Sequence, residues 1–553
     1  MSNRTFENIS FTPNFENGID LESMQVTRAQ MVPSFLISVF KVILIIVLVT
    51  FAIKFGYYAT FLRKLRKLPQ KPSHWIFGHV RGLKPPPFST GPAFGRGLKR
   101  ILDKSADFLH QNGLMVFWFS WIPTVIVTEP AIIEKLLNSK IEKGPGFDIA
   151  RKFFGDGLVM QRLEKWRGRR KLMTSGLHGA VLSRYIPIMN TVIHDWIGKI
   201  HDQLEKNPTD VMRLCQKIGM DMICATTMGI ERFEDDSPEA KYRSAIEVAV
   251  EMILMRVINP LYWFDMIFSW TSDGKRSKRA QEYIKKFSTN LISLKTATAS
   301  ELNSEATLSL HNRSQKVALL DHLVELHINS VNGSSKVVFS ADGVNEEVNT
   351  TLFAGNESTA STMAWTLFLL GAHPQIQDDV HKEIINNLGT RSSGDTTNDF
   401  YNEDSLRKLN YLDCCVKESM RICPSIHTIT RHLSEDLVVD SHTIPAGTIA
   451  SICIYYLHWN PKFYPEPEKF IPERFSPNSS IRPSFSFIPF GGGQRQCVGQ
   501  TLAMRLIKIV VAEIVRNFQI QSCCNLDRID KTFLGTLKPS EPIKIILKKR
   551  DSE

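Results

Sequence analysis

The sequence has few of the features that mark a secreted, zinc-bound or nucleic-acid-binding chain. Its nine cysteines are an odd number with no C-x-x-C pair, which excludes a disulfide framework and points to free thiols in a reducing compartment. Two vicinal pairs, Cys414/Cys415 and Cys523/Cys524, lack further ligands at zinc spacing and read as core or surface residues. There is no clustered Arg/Lys helix and no aromatic RNA-binding signature. The net charge of +11 therefore suits an acidic surface, either lipid headgroups or an acidic partner protein, and not nucleic acid. No repeat divides the body of the chain, and no second linker follows the one near residue 70. A hydrophobic content of 43% and a charged content of 22% leave an ordinary globular body, either one large domain or two to three small ones.

What is present begins with one long apolar run. Residues 33–53 read PSFLISVFKVILIIVLVTFAI, roughly the 20 residues that cross a hydrocarbon core as a helix. Only Lys41 interrupts the run, towards one end where its stem can snorkel. Lys54, Arg63, Lys64, Arg66, Lys67 and Lys71 follow, whereas the preceding tail sets Arg4 and Arg28 against Glu7, Glu16, Asp20 and Glu22. The positive-inside rule then predicts a lumenal tail over 1–32, an anchor over 33–53, and everything after Lys54 in the cytosol. A cleavable signal peptide or a mitochondrial presequence fits badly, because an acidic stretch comes before the apolar core. Asn3 and Asn8 head glycosylation sequons on the lumenal side. Residues 54–72 form a basic hinge ending in the stiff stretch Leu68-Pro69-Gln70-Lys71-Pro72.

Residues 73–553 read as a mainly α body with a small β part. Strand-like runs occur over 115–127 and 437–454, and surface loops are expected over 296–315 and 389–404. Residues 350–373 are apolar or small nearly all round, as in a helix through a domain centre. A second membrane span is the rival, but Asn356, Glu357, Ser358 and Thr359 together would be costly in lipid.

The most informative run is Phe490-Gly491-Gly492-Gly493-Gln494-Arg495-Gln496-Cys497-Val498-Gly499. It sets one thiol after a glycine-rich, arginine-bearing loop and ahead of an amphipathic helix, conditions that favour a thiolate. This run resembles the heme-ligand loop of the cytochrome P450 superfamily, F-x-x-G-x-R-x-C-x-G, at every fixed position. Such a match arises by chance in a chain of this length with a probability on the order of 10⁻⁴. The resemblance implies a cytochrome P450 fold behind one N-terminal transmembrane helix, heme b as cofactor, and Cys497 as the axial iron ligand.

Other motifs follow in the order the family has them. Trp166 and Arg170 share one helix face at four-residue spacing and resemble a pair that holds a heme propionate; a solvated basic face is the plainer reading. Ala354-Gly355-Asn356-Glu357-Ser358-Thr359 resembles the oxygen-activation motif. There the small residues leave room for dioxygen, and Glu357 and Ser358 deliver protons for O–O cleavage. Ser358 replaces the commoner threonine, so its rotamer is less fixed. Glu418 and Arg421 resemble the E-x-x-R element, and Pro472-Glu473-Arg474-Phe475 the PERF element; with Arg474 they form an expected charge network bracing the cysteine loop. Arg495, Arg431 and Phe490 are further expected heme contacts.

Glu347-Val348-Asn349-Thr350 and Leu457-His458-Trp459-Asn460-Pro461 resemble the family-4 branch, which includes many insect, microsomal members and hydroxylates fatty acids and related lipids. Two departures stand out. Ala354 sits where many of that branch carry a glutamate esterified to the heme, so non-covalent heme is expected. Pro424-Ser425-Ile426 replaces the usual Pro-Pro-Val, which reshapes a pocket wall and leaves the oxidised position open. Residues 252–270 hold Leu261, Tyr262, Trp263, Phe264, Phe268 and Trp270; they suit either core packing or an access region at a membrane surface.

The resemblance implies an endoplasmic reticulum monooxygenase. Its expected electron source is NADPH, through a cytochrome P450 reductase docked near the cysteine loop, with cytochrome b5 as a second candidate donor. Its substrate is expected to be an apolar fatty acid, other lipid, hormone or xenobiotic. A heme-thiolate isomerase or dehydratase and a non-catalytic heme carrier are the alternatives.

Overall fold

The computed structural model describes residues 21–550 apart from 82, 84–90, 120–121, 140–141, 145, 205–207, 231–237, 306–317, 334–338, 390–400 and 440–441. The two N-terminal sequons lie outside the described residues. The chain divides into two units, Met1–Lys67 and Leu68–Glu553.

Leu21–Leu65 of the first unit is one helix. Its part Val39–Leu65 is long and apolar enough to cross a membrane, with a mean hydropathy of 2.4. The helix runs past residue 53, the expected end of the anchor. Tyr57, Tyr58, Phe61 and Leu62 prolong the apolar run, and no proline arrives before Pro69. Residues 54–65 are therefore helical.

In the second unit, the end of the linker is pinned to the body. The Pro69 carbonyl accepts the Val116 N–H at 2.9 Å, and the Lys71 ammonium reaches the Lys104 carbonyl at 2.7 Å. Helices dominate this unit around one helix, Ala341–Ala372, which is buried over most of its length. Ser340 caps it, its Oγ accepting the Gly343 N–H at 3.1 Å, and Pro374 stands where the helix would continue. Enclosure by protein explains its all-round apolar character without a membrane. The helix Val211–Ile223 lies close alongside. A Cβ on Gly219 would fall 2.7 Å from Asn356 Oδ1, and one on Gly355 would fall 3.0 Å from Ile223 Cδ1.

The largest sheet has four strands, in the order Leu114–Phe119, Ile122–Val127, Ile449–Cys453 and Thr428–His432. Val125 pairs with Ala450 in the parallel step, and Ala450 with Arg431 in the antiparallel one. Both strand-like runs of the sequence are thus used. A late hairpin, Lys531–Leu534 with Thr536–Pro539, packs its second strand against the central helix. The loop expected over 296–315 is helical as far as Glu305, because Ala297, Ala299, Glu301 and Leu302 extend the preceding helix from Ser272. Of the other expected loop, Gly389 ends one helix at φ 74° and Asn402 caps the next.

Candidate active site

The cysteine loop is closed by its own main chain. The Cys497 N–H donates to the Phe490 carbonyl at 3.0 Å, the Gln496 N–H to Gly493 at 3.1 Å, and the Gly491 N–H to Ile488 at 2.9 Å. Gly493 has φ 64°, and a Cβ there would stand 2.3 Å from the Leu137 carbonyl oxygen, so no other residue fits. Phe490 is half-buried against the core. Cys497 is exposed, although protein surrounds most of its thiol. Burial raises the thiol above its ordinary value, while the Gly499 N–H and the Arg170 charge pull it down. The cation acting on the sulfur is thus Arg170, from the helix Leu163–Gly176, and not the loop's own arginine.

The other expected contacts gather around this loop. Arg495 donates to the Gln161 carbonyl at 2.9 Å and lies 4.5 Å from the centre of the Trp166 ring. Arg170 donates to the Gln496 carbonyl at 2.6 Å. Trp166 and Arg170 therefore meet neighbouring residues of one loop, which a merely solvated face would not do. Arg431 is buried on its strand, and its Nε has no partner among the described residues. Burial lowers it to about 10. Arg495 is also lowered to about 10, by burial first and then by the charge of Arg431.

Lys143, which the sequence did not single out, is pushed well below its usual value by burial and by Arg495, Arg431 and Arg151. Its stem keeps some surface at the rim; the deep position of its ammonium is what matters for charge. Lys143 and Arg495 thus feel the charge of Arg431, whose own buried Nε–H is unpartnered among the described residues, and an anion placed here would relieve all three. The two propionates of a heme would meet that need, and the Cys497 thiol could supply its iron ligand. The residues present fit the group.

Glu357 and Ser358 lie in the middle of the central helix. Glu357 Oε1 is 2.5 Å from Lys538 Nζ and accepts from Thr536 Oγ1 at 3.4 Å. It also lines a cleft with Gln216, Arg243, Glu247 and Asn356. Ser358 Oγ donates to the Ala354 carbonyl at 2.7 Å. The Ser358 carbonyl accepts from Ser425 Oγ at 3.0 Å, and Ser425 Oγ is 2.7 Å from Thr362 Oγ1. Two of the three departures from the family pattern, Ser358 and Ser425, are therefore in contact. The small size of Gly355 is used by Ile223, so the space it leaves serves helix packing. Neither Lys538 nor Thr536 belongs to a motif; only the fold brings them here.

The expected charge network is present and enclosed. Arg421 holds Glu418 through two bonds of 2.8 Å, Arg474 Nε reaches Glu418 Oε1 at 3.2 Å, and Glu418 and Arg421 are both fully buried. Arg421 also donates to the His458 carbonyl at 3.1 Å. Burial and Arg421 push His458 down to about 3, so its neutral Nε2 can accept the Ile488 N–H at 3.0 Å. Ile488 in turn accepts from Gly491. His458 is thus the joint between network and loop, a role that its branch motif did not disclose.

The cytochrome P450 family profile matches residues 84–547. The chain belongs to the cytochrome P450 family. It is similar to cytochrome P450 4V2 of Rattus norvegicus, 29% identical over 90% of this chain and 92% of that one. Cytochrome P450 4c3 of Drosophila melanogaster is 29% identical over 83% of this chain and 88% of its own length. Probable cytochrome P450 4ac1 of the same fly is 30% identical over 81% and 85%. This P450 is a diverged family-4-like member, a monooxygenase with a heme iron. Its fold is the mainly helical one with a small sheet that the resemblance implied. Among the described residues no other cluster of His, Cys, Asp and Glu could hold a metal.

Proposed function

We propose that this P450 is a membrane-anchored monooxygenase that oxidises a fatty acid or another apolar, lipid-like substrate. The observation that carries the heme seat is that the loop bearing Cys497 also bears Arg495, which lies within electrostatic reach of Arg431 and Lys143, while Arg170 acts on the thiol itself. Cys497 binds the iron, and Trp166, Arg170, Arg431, Arg495 and Phe490 hold the rest of the heme. The bound heme supplies dioxygen activation, favoured by electron donation from the thiolate. Glu357 takes protons from the cleft it lines, under the control of Lys538 and Thr536, and Ser358 passes them on.

Substrate entry is assigned to the segment 260–270. Tyr262 and Phe268 are buried, but Leu261 is 62% exposed and Trp270 74%, with Phe264 and Met266 also outward. Such a face favours a lipid surface over core packing. Residues 1–32 are assigned to the lumen, 33–53 with their helical extension to the endoplasmic reticulum membrane, and 73–553 to the cytosol. Electrons come from NADPH through a cytochrome P450 reductase, or from cytochrome b5.

The reduced carbon-monoxide spectrum tests the seat; absence of the strongly red-shifted thiolate band sinks it. Incubation with reductase and a lipid extract tests the rest. Products that require neither NADPH nor O₂ would favour isomerase or dehydratase chemistry.

A further inference from the structure

Glu347, on the central helix, is completely buried. Its Oε1 accepts the Leu158 N–H at 2.9 Å and lies 3.5 Å from Arg169 Nε; its Oε2 has no partner among the described residues. Leu158 belongs to a segment, 155–161, that presses onto the central helix. The Asp156 N–H donates to Glu346 at 3.1 Å, and a Cβ on Gly157 would fall 2.1 Å from Thr350 Oγ1.

The far edge of this segment is a row of acceptors. The Val159 carbonyl takes the Lys143 ammonium. The Met160 carbonyl takes two bonds from Arg151, at 3.0 and 2.7 Å, and the Gln161 carbonyl takes Arg495 at 2.9 Å. Three successive carbonyls thus aim three neighbouring cations, and the strip bearing them hangs from Glu346 and Glu347. We propose that Glu347 is a positioning residue for the heme: by holding the Leu158 N–H it fixes segment 155–161, and with it the aim of Lys143, Arg151 and Arg495. The inference rests on the heme seat described above.

The charged groups facing Glu347 are Arg169, Glu346 and Asp156. Burial pushes its carboxyl up to about 7; Arg169 and the Leu158 N–H oppose the shift, and the two acids add to it. A carboxylate kept under such strain, where an apolar side chain would pack, is explained by the N–H it holds.

The test compares Glu347→Ala, which removes the acceptor, with Glu347→Gln, which keeps an acceptor and removes the charge. In the holoenzyme, E347A should transfer heme to an excess of an apo-heme acceptor protein about tenfold faster than the parent, the worth of one buried hydrogen bond. Its backbone amides over 156–161 should exchange faster with deuterium, while E347Q stays near the parent in both. Gly157→Ala, which wedges the segment off the helix with Glu347 intact, should reproduce E347A. Equal heme loss and equal exchange in E347A and the parent would overturn the proposal, as would equal acceleration in E347A and E347Q. A parent chain that takes up no heme would sink the heme seat itself; the exchange contrast on that heme-free chain would still decide whether Glu347 holds the segment.

Discussion

Around Cys497 order comes from the main chain, whereas around Ser358 it comes from side chains that arrive from elsewhere. The cysteine loop is tied through the carbonyls of Phe490, Gly493 and Ile488, and its cations rest on the carbonyls of Gln161 and Gln496. The Ser358 turn is held by Ser425 and Thr362, and its neighbour Glu357 by Lys538 and Thr536. A site fixed by main chain is robust to most side-chain changes and fails only at its ligand or its tight glycines. A site fixed by side chains can be retuned by one substitution. A proposed metal ligand gains from the first arrangement, and a proposed proton relay can use the second.

The largest effect should come from Cys497→Ala, which is expected to abolish the thiolate band and all NADPH-dependent oxidation; a surviving band would end the assignment. Next, Arg421→Ala should destabilise the fold by about 3–5 kcal/mol, since it breaks a fully buried two-bond ion pair and leaves Glu418 with the longer Arg474 contact. Denaturant unfolding would measure it, and a loss below ~1 kcal/mol would show the loop to be braced by other means.

Glu347 joins the two regions, and its acidity gives a signed prediction. Its folded value of about 7 lies above the ordinary 4.5, so its favourable share is complete below 4.5 and is lost as pH rises through 7. Above that window the charge costs about 3 kcal/mol, and E347Q should raise the unfolding midpoint at pH 8 but hardly at pH 4. A midpoint lowered at pH 8 would reverse the sign.

Smaller effects belong to the side-chain-held region. Lys538→Met should lower product formed per NADPH consumed about tenfold, with the difference released as peroxide. Ser425→Ala should do the same by about fivefold or less. If K538M stayed fully coupled, Glu357 would not depend on its partner. If S425A matched K538M, the Ser358 carbonyl would outrank the acid.

The legible parts of the sequence were those whose partners lie within one run or one helix turn. The cysteine loop closes on itself and Glu418 pairs with Arg421 across one helix turn, though order along the chain is what singles that pair out; Trp166 and Arg170 were legible by spacing, while their partners Arg495 and Gln496 lie in the distant loop. Arg474 was reached through a second fixed motif. Lys538, Thr536 and Lys143 carry no pattern, because their meaning lies in a contact closed by distant segments. His458 was visible only as a branch marker, since burial is what makes its ring an acceptor. Helix runs on past residues 53 and 296 for a simpler reason: a helix continues until something stops it, and nothing in those residues does.

The close contact at Gly355 has a mechanical consequence. Gly355 and Glu357 are two residues apart, about 200° around the helix axis, so they mark nearly opposite flanks. One flank rests on Ile223 with no slack; the other is moored to Lys538 by an ion pair. The helix can therefore give way in one direction only. A push towards Ile223 is blocked at once, and a push the other way drives Glu357 onto its own ion partner, so sideways shift of the helix and the Glu357–Lys538 pairing are mechanically coupled.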